Sequence, residues 1–217
     1  MRFSIERMLD WLPYILEGLG VIIGLSLICA IIGVIVGVLC AFLKKKKGIG
    51  MIISAYIDFF RGTPVFFQLY FFYFGLPGLI PGFPTNKWAC AVIVFGLNSG
   101  AYLAEVMRAG IEGIDKGQIE AAKALGVSQK DIIKDIILNQ AIRSVLPALF
   151  NEFIALTKET SVVSVLGVND MMKRYSFVVA KTYSPIEPLV VIGIGYLCLN
   201  KVLSFIGQRL ERKLAYD

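Results

Sequence analysis

Histidine is absent from the sequence, and charged residues are few. Among 217 residues, Asp, Glu, Lys and Arg together account for 18% and histidine for none. Without imidazole, the chain lacks the side chain most used for proton transfer near neutral pH and the usual nitrogen ligand of zinc. No nucleophile–base pair or metal-ligand cluster is visible either, so we expect neither a catalytic site nor a metal site.

The four cysteines show no paired spacing. Each lies inside an apolar run, which is the setting of a small buried hydrophobic residue and not of a disulfide framework or a metal site. We therefore interpret them as part of a packed interior: Cys29, Cys40, Cys90 and Cys198.

Long stretches without charge dominate the chain instead. Hydrophobic residues make up 57% of the sequence, its mean hydropathy is +0.72, and residues 18–43 and 62–86 contain no Asp, Glu, Lys or Arg. A helix needs about 20 residues to cross a hydrocarbon core of about 30 Å. A soluble helix of this length would show a polar face, and these stretches show none. The sequence therefore predicts an all-α polytopic membrane protein.

The net charge of +6 comes largely from basic residues in loops and tails. In a soluble chain this charge would suggest nucleic acid as a partner, but no aromatic residues are interspersed in the run KKKK at 44–47. We therefore expect no nucleic-acid binding. The positive-inside rule instead places this run on the cytoplasmic side of a membrane.

Five segments can serve as transmembrane helices. They follow an amphipathic interfacial segment at 1–14, with the N-terminus expected outside and the C-terminus inside. The expected spans are residues 15–43, 51–76, 88–109, 136–157 and 188–207. Lys173, Arg174 and Lys181 conflict with this topology, because they would lie outside. Either they cap a partly buried segment, or residues 158–187 follow a more complex path.

The stretch EAAKALG at 120–126 lies in a charged segment, residues 115–134, between two of these spans. Glu120 to Leu125 are strong helix formers, and Gly126 can adopt the left-handed conformation that ends a helix. Ser128 can cap a second helix that starts with QKDIIKDII. The sequence therefore predicts two short helices. Their composition alone fits a solvated connector as well as a docking element.

Several blocks of sequence carry a family resemblance. The EAA of 120–122, followed by Gly126 and by IRSVLP at 142–147, resembles the EAA loop of ATP-binding-cassette (ABC) importer permeases. Three longer blocks are similar to permeases of the polar amino-acid uptake family, often called the histidine/glutamine/arginine/opine group. They are FFRGTPVFFQLYFFYFGLP (59–77), SGAYLAEVMRAGIEGIDKGQIEAAKALG (99–126) and KETSVVSVLGV (158–168). The resemblance extends from about Gly18 to Lys213.

This resemblance implies the type I importer architecture, with one transmembrane permease domain at 1–217. It implies a complex of two permeases, identical or different, with two ATPase subunits and an external binding protein, in the plasma membrane of a prokaryote. The chain has no GxxxxGK(S/T) phosphate loop, so ATP and Mg²⁺ are expected on the ATPase subunits. Residues 115–134 would then be the coupling loop that docks on the ATPase, with Glu120, Ala121, Ala122, Leu125 and Gly126 as its motif.

Ionisable residues within the expected spans are costly and therefore suggest function. Asp58 and Arg61 are three residues apart and can neutralise each other, as can Glu105 and Arg108. Glu152 has no such neighbour at three or four positions in either direction. It must find a partner on another span, on another protein, in water or in a ligand.

A substrate pocket about halfway across the membrane would provide that partner. An amino acid needs anionic groups for its ammonium and donors for its carboxylate. The third span carries a polar stripe at i, i+4 and i+7, and the side chains that could line the pocket are Asn98, Tyr102, Glu105, Glu152, Lys158, Glu159, Thr160 and Ser161. Interhelical hydrogen bonds or a gate are the alternative roles of these side chains. The surplus of acidic groups favours a cationic amino acid.

Two other functions are compatible with the composition. An ion-gradient-driven amino-acid carrier or channel would use the carboxylates as proton or cation sites. It would leave residues 115–134 without a role, and five spans without an internal repeat are few for a carrier. A membrane-embedded scaffold or sensor is the second alternative. The sequence does not determine which amino acid would be transported.

Overall fold

Helices form nearly all of the structure. The computed structural model describes residues 4–83 and 85–215, and no strand occurs within these ranges. The α-helices, in chain order, are α1 (Ile5–Leu16), α2 (Gly18–Leu43), α3 (Ile49–Gly62), α4 (Val65–Tyr70), α5 (Leu76–Leu79), α6 (Lys87–Glu112), α7 (Lys116–Ala124), α8 (Gln129–Asp131), α9 (Asn139–Glu159), α10 (Met171–Thr182) and α11 (Ile186–Ala215). A π-helical turn, Phe71–Gly75, joins α4 to α5, and a second, Ile132–Leu138, joins α8 to α9. A 3₁₀ helix, Thr160–Leu166, follows α9.

Within the described residues, three segments are long and apolar enough to cross a membrane. They are Ile5–Leu43, which contains α1 and α2, Lys87–Glu112, which is α6, and Ile186–Lys213 within α11. They correspond to the first, third and fifth expected spans. The expected fourth span corresponds to α9, which carries more polar residues. The prediction of an all-α membrane fold is confirmed.

The second expected span is interrupted near its middle. Helix α3 ends at Gly62, Thr63 and Pro64 are extended, and α4 starts after them. Proline lacks a backbone N–H and disfavours helical geometry at the preceding residue, which explains the break. The buried Gln68 amide donates to the carbonyls of Phe60 (2.9 Å) and Thr63 (3.0 Å) and to the Thr63 hydroxyl (2.9 Å). The prediction of one continuous helix here was therefore wrong.

Glycines bring α2 and α6 into close contact. A Cβ at Gly33 would lie 2.6 Å from the Ser99 hydroxyl oxygen, and one at Gly37 would lie 2.9 Å from Leu103 Cβ. Neither position has room for a larger side chain unless its neighbour moves. Helix α6 also packs against α3 and α9 and therefore lies at the centre of the fold.

The cysteines divide between the interior and the surface. Cys29, Cys40 and Cys90 are buried, as expected, on α2 and α6. Cys198 is exposed on α11, so its interpretation as a buried residue was wrong. An apolar run in the sequence does not show which of its residues pack against protein and which face lipid, because the protein interior and the lipid tails are both apolar.

The N-terminal segment is an amphipathic helix, as expected. Residues 1–3 of the predicted interfacial segment lie outside the described residues, and α1 starts after Ser4, whose hydroxyl accepts from the Arg7 N–H. Ile15 is fully buried, whereas Leu9 is 55% exposed. Arg7 also pairs with Glu187 at 3.2 Å, which attaches α1 to the start of α11.

Two cations attach α10 to α1. Arg174 donates to the Tyr14 carbonyl (2.8 Å), pairs with Glu17 (2.6 Å) and lies over the Tyr14 ring at 4.7 Å. The Lys181 ammonium lies 5.2 Å from the centre of the Trp11 ring. Arg174 and Lys181 thus have partners on α1 or at its end.

The charged middle segment folds into the two expected helices. Helix α7 starts after Asp115, whose side chain caps it, and thus begins earlier than predicted. Gly126 has a φ of +77°, the left-handed conformation predicted for it. The Ser128 hydroxyl accepts from the Asp131 N–H at 3.2 Å and starts α8, from which the second π-helical turn leads into α9.

Candidate functional site

Glu152 lies in an apolar groove between α2, α6 and α9. The carboxylate is partly buried, and no ion pair to it occurs within the described residues. The Ser99 hydroxyl on α6 lies beside it, and that buried oxygen makes no hydrogen bond of normal geometry within the described residues. The groove has a volume of about 330 Å³, and its lining residues are Ala30, Ile31, Val34, Ile35, Leu103, Leu149, Phe150, Glu152 and Phe153. Glu152 is the one charged residue among them.

The residues after Glu152 on the same segment divide into two groups. Lys158 is exposed and Glu159 is partly buried, close enough to Glu152 for the two negative charges to interact. Thr160 is fully buried, and its hydroxyl is hydrogen-bonded to the Ser26 hydroxyl at 3.3 Å, so it joins the 3₁₀ helix to α2. Its hydroxyl therefore already has a partner within the protein.

Ser161, the last of these predicted residues, is partly buried beside the Tyr196 hydroxyl of α11. Its side chain therefore contributes to the contact between the 3₁₀ helix and α11.

Asn98 and Glu105 make strong contacts within the chain. The Asn98 amide donates to the Phe60 carbonyl (3.1 Å) and to the Gln68 side-chain carbonyl (3.0 Å), which anchors the helix break to α6. Glu105 pairs with Lys44 and with Arg108, both at 2.7 Å. The expected Glu105–Arg108 pair is confirmed, and this ion cluster lies two turns along α6 from Asn98.

Tyr102 has an exposed fraction of 38% and lies under the guanidinium group of Arg61, 5.3 Å from its ring centre. The prediction that Arg61 pairs with Asp58 was wrong, since the described part of the chain contains no ion pair between them. Spacing of three residues allows such a pair but does not enforce it, and the aromatic face offers Arg61 another partner.

The structure therefore brings together only part of the predicted pocket. Glu152, Glu159 and Tyr102 remain available to a ligand, whereas Asn98, Thr160 and Glu105 have partners within the protein. Sequence reasoning missed Ser99 and Gln68. The signal for Gln68 was the sequence Gly62-Thr63-Pro64. A proline within a span leaves backbone carbonyls without their helical partners, and a polar side chain must then satisfy them.

The EAA segment presents an accessible surface. Glu120, Ala121 and Gly126 are exposed, and Leu125 has an exposed fraction of 83%. Ala122 is buried, with an exposed fraction of 7%, and α7 as a whole packs against the π-helical turn before α9.

These features define a class of protein, a polytopic helical membrane protein with a carboxylate in an apolar groove and an exposed helical loop. Comparison with known proteins supports this class. The family described as binding-protein-dependent transport system inner membrane component matches residues 33–216. The chain therefore belongs to this family, whose members are permease subunits of ABC importers and not enzymes.

Two relatives with assigned roles match nearly the whole chain. The arginine transport system permease protein ArtQ of Bacillus subtilis (strain 168) is 43% identical over 216 residues, which is 99% of this chain and 98% of that protein. The glutamine transport system permease protein GlnP of Escherichia coli (strain K12) is 32% identical over 216 residues, or 99% of each chain. The resemblance drawn from the sequence is confirmed.

Solved structures agree with this assignment. A chain in the crystal structure of an amino acid ABC transporter with histidines superposes with a TM-score of 0.91 at 34% identity, covering 98% of this chain and 100% of that one. A chain of the MetNI methionine ABC transporter in an inward-facing conformation superposes with a TM-score of 0.75 at 17% identity, over 98% and 99% of the two chains. At that identity the second likeness concerns the fold alone.

Proposed function

We propose that this chain is the permease of an ATP-driven importer of amino acids, with a preference for cationic ones such as arginine. The observation that carries the preference is the uncompensated Glu152 carboxylate in its apolar groove. Glu152 stands 13 residues after Asn139, the first residue of α9, which corresponds to a rise of about 20 Å. A charge at such a depth is costly unless it meets an opposite charge, and a guanidinium or ammonium group supplies one.

The charges around the groove support a cation over an anion. Glu159 adds a second negative charge near Glu152, whereas the nearby Lys158 is exposed. Attraction between a cationic ligand and two carboxylates is strong where water is scarce. Two relatives carry the names of arginine and glutamine transport systems, so both amino acids are candidates. The excess of acidic side chains near the groove favours arginine.

The complex follows the family pattern: two permeases, two ATPase subunits that bind ATP and Mg²⁺, and an external binding protein, in the plasma membrane of a prokaryote. The loop at 115–134 docks on the ATPase. Its helix α7 packs against the π-helical turn, which continues directly into α9. A movement of the docked loop therefore reaches the helix that carries Glu152 without passing through any flexible connector.

The test is the variant Glu152→Gln, which keeps the size and removes the charge. The complex with its ATPase is reconstituted into vesicles, and uptake of labelled arginine and of labelled glutamine is measured with ATP, and with an ion gradient but no ATP. We expect ATP-dependent uptake in the wild type and a loss of about tenfold or more for arginine in the variant, because a charge-assisted contact is removed. Glutamine uptake should change much less.

Glu6→Gln is the matched control, because Glu6 is an exposed glutamate on α1. It should leave both uptake rates unchanged. If Glu152→Gln transports arginine as well as the wild type does, the preference assigned to Glu152 is wrong. Uptake driven by an ion gradient in the absence of ATP would favour the carrier over the ATP-driven importer.

A further inference from the structure

Arg61 lies near the middle of the membrane-spanning part of the fold. It occupies the last turn of α3, next to Phe60, whose carbonyl accepts from the Asn98 amide at 3.1 Å. Asn98 stands 11 residues after Lys87 and 14 before Glu112, the two ends of α6. The hydrogen bond therefore fixes Arg61 at about mid-depth of the most central span.

The Arg61 guanidinium forms no ion pair with any of the residues that the structure describes. No carboxylate approaches it within ion-pair distance in the ranges the structure describes, and its side chain is exposed. The Tyr102 ring supports one face of the guanidinium at 5.3 Å. An arginine at this depth cannot face hydrocarbon without a large cost, so this face must meet water or an anionic group.

Arg61 and Glu152 lie on either side of one stripe of α6. Ser99 lies beside the Glu152 carboxylate, and Tyr102 lies beneath Arg61. Residues three apart on a helix have Cβ atoms about 5–6 Å from each other. Arg61 and Glu152 thus lie beside two residues that are neighbours on one face of α6, an arrangement that suits a small molecule carrying both charges.

We propose that Arg61, supported by Tyr102, binds the α-carboxylate of the transported amino acid while Glu152 faces its cationic group. The planar guanidinium can donate two parallel hydrogen bonds to a carboxylate, and its stacking on the ring reduces the freedom lost on binding. The carboxylate is common to all amino acids, so this subsite accounts for recognition of the class and Glu152 for selection within it. The assignment rests on the proposed function above.

The experiment compares each amino acid with its α-carboxamide, which keeps the size and loses the negative charge. Equilibrium binding of arginine, argininamide, glutamine and glutaminamide to the purified permease–ATPase complex is measured without the external binding protein. We expect the wild type to bind the acid at least about tenfold more tightly than the amide. In Arg61→Gln this ratio should fall to about one, mainly through weaker binding of the acid.

Arg209→Gln is the matched control, because Arg209 also lies over an aromatic ring, that of Phe205 at 4.8 Å, on α11. It should keep the wild-type ratio. If Arg61→Gln keeps that ratio as well, Arg61 does not bind the carboxylate and the proposal is overturned.

Two further outcomes distinguish this proposal from an interface role of Arg61 and from a failure of the proposed function. If Arg61→Gln breaks the complex apart, and the less drastic Arg61→Lys assembles with an unchanged ratio, Arg61 is an interface residue and the proposal is wrong. If the wild-type complex binds none of the four compounds, the subsite proposed here is refuted, whereas the importer itself is refuted only by the absence of ATP-dependent uptake in the vesicle assay. If the wild type binds the acids more tightly than the amides and only Arg61→Gln loses this preference, the result supports both the amino-acid importer and the carboxylate subsite.

Discussion

Replacement of Gln68 by leucine should destabilise the protein at the break between α3 and α4. The fully buried Gln68 side chain has four hydrogen-bond partners. Its two N–H groups donate to the Phe60 and Thr63 carbonyls and the Thr63 hydroxyl, with one N–H shared between two acceptors, and its carbonyl accepts from the Asn98 amide. Side-chain hydrogen bonds within membranes contribute about 0.6–1 kcal/mol each, so we expect a loss of about 2–4 kcal/mol. For a chain of this size, that corresponds to a decrease in Tm of about 5–15 °C.

The measurement is thermal unfolding in detergent, followed by the reaction of buried thiols with a fluorogenic reagent. Cys29 and Cys90 are buried and become reactive only on unfolding, whereas the exposed Cys198 gives a constant background. Gln208→Leu on α11 is the control, because Gln208 is exposed and such changes cost within about 0.5 kcal/mol. If Gln68→Leu and Gln208→Leu melt within about 2 °C of each other, the hydrogen bonds of Gln68 do not hold the break.

Two further predictions concern the contact between α2 and the start of α10. A Cβ at Gly18 would overlap the Met171 nitrogen and lie 2.6 Å from the Asp170 carbonyl carbon, so Gly18→Ala should cost about 1–3 kcal/mol in thermal unfolding. A Cβ at Gly20 would have no atom within 4 Å, so Gly20→Ala should instead stabilise the protein by up to about 1 kcal/mol. Equal stability of the two variants would contradict the close packing at Gly18. Burial raises the pKa of Asp170, which lies outside the spans, from 3.8 to about 6. Because the folded state favours the neutral acid, stability should fall as pH rises from about 4 through about 6. Asp170→Asn keeps the cap on the Lys173 N–H. The variant should therefore be more stable than the wild type at about pH 7.5 and equally stable at about pH 4. A difference in stability that does not depend on pH would refute the assignment to the Asp170 carboxyl.

Elements whose signal is local could be predicted from the sequence. The ends of the charged middle segment follow from side chains next to them, so Gly126 and Ser128 adopt the roles their residue types suggest. The charge-free run at 18–43 corresponds to α2, because a helix satisfies its own backbone in an apolar solvent. The break after Gly62 has an equally local cause in Pro64, although hydropathy alone favours a continuous span.

Contacts between spans could not be predicted in the same way. The sequence shows that Glu152 lacks a partner on its own helix, but the approach of Ser99 depends on the register between α6 and α9. Glu105 lies on the same stripe of α6 as Tyr102, but its carboxylate pairs with Lys44 at the end of α2. Such outcomes depend on which helices meet and at what rotation, and helical spacing alone does not specify either.

The π-helical turn Ile132–Leu138 has a consequence for chain length. A π-helical turn holds one residue more than an α-helical turn, and each residue in an α-helix advances its neighbour by about 100°. Deletion of one residue in this turn would restore regular α-helix and rotate α9 relative to the EAA segment by that amount. Glu152 would then point away from Ser99 while every contact within α7 stayed the same. The rotational phase between the cytoplasmic loop and the site thus depends on a single residue of length.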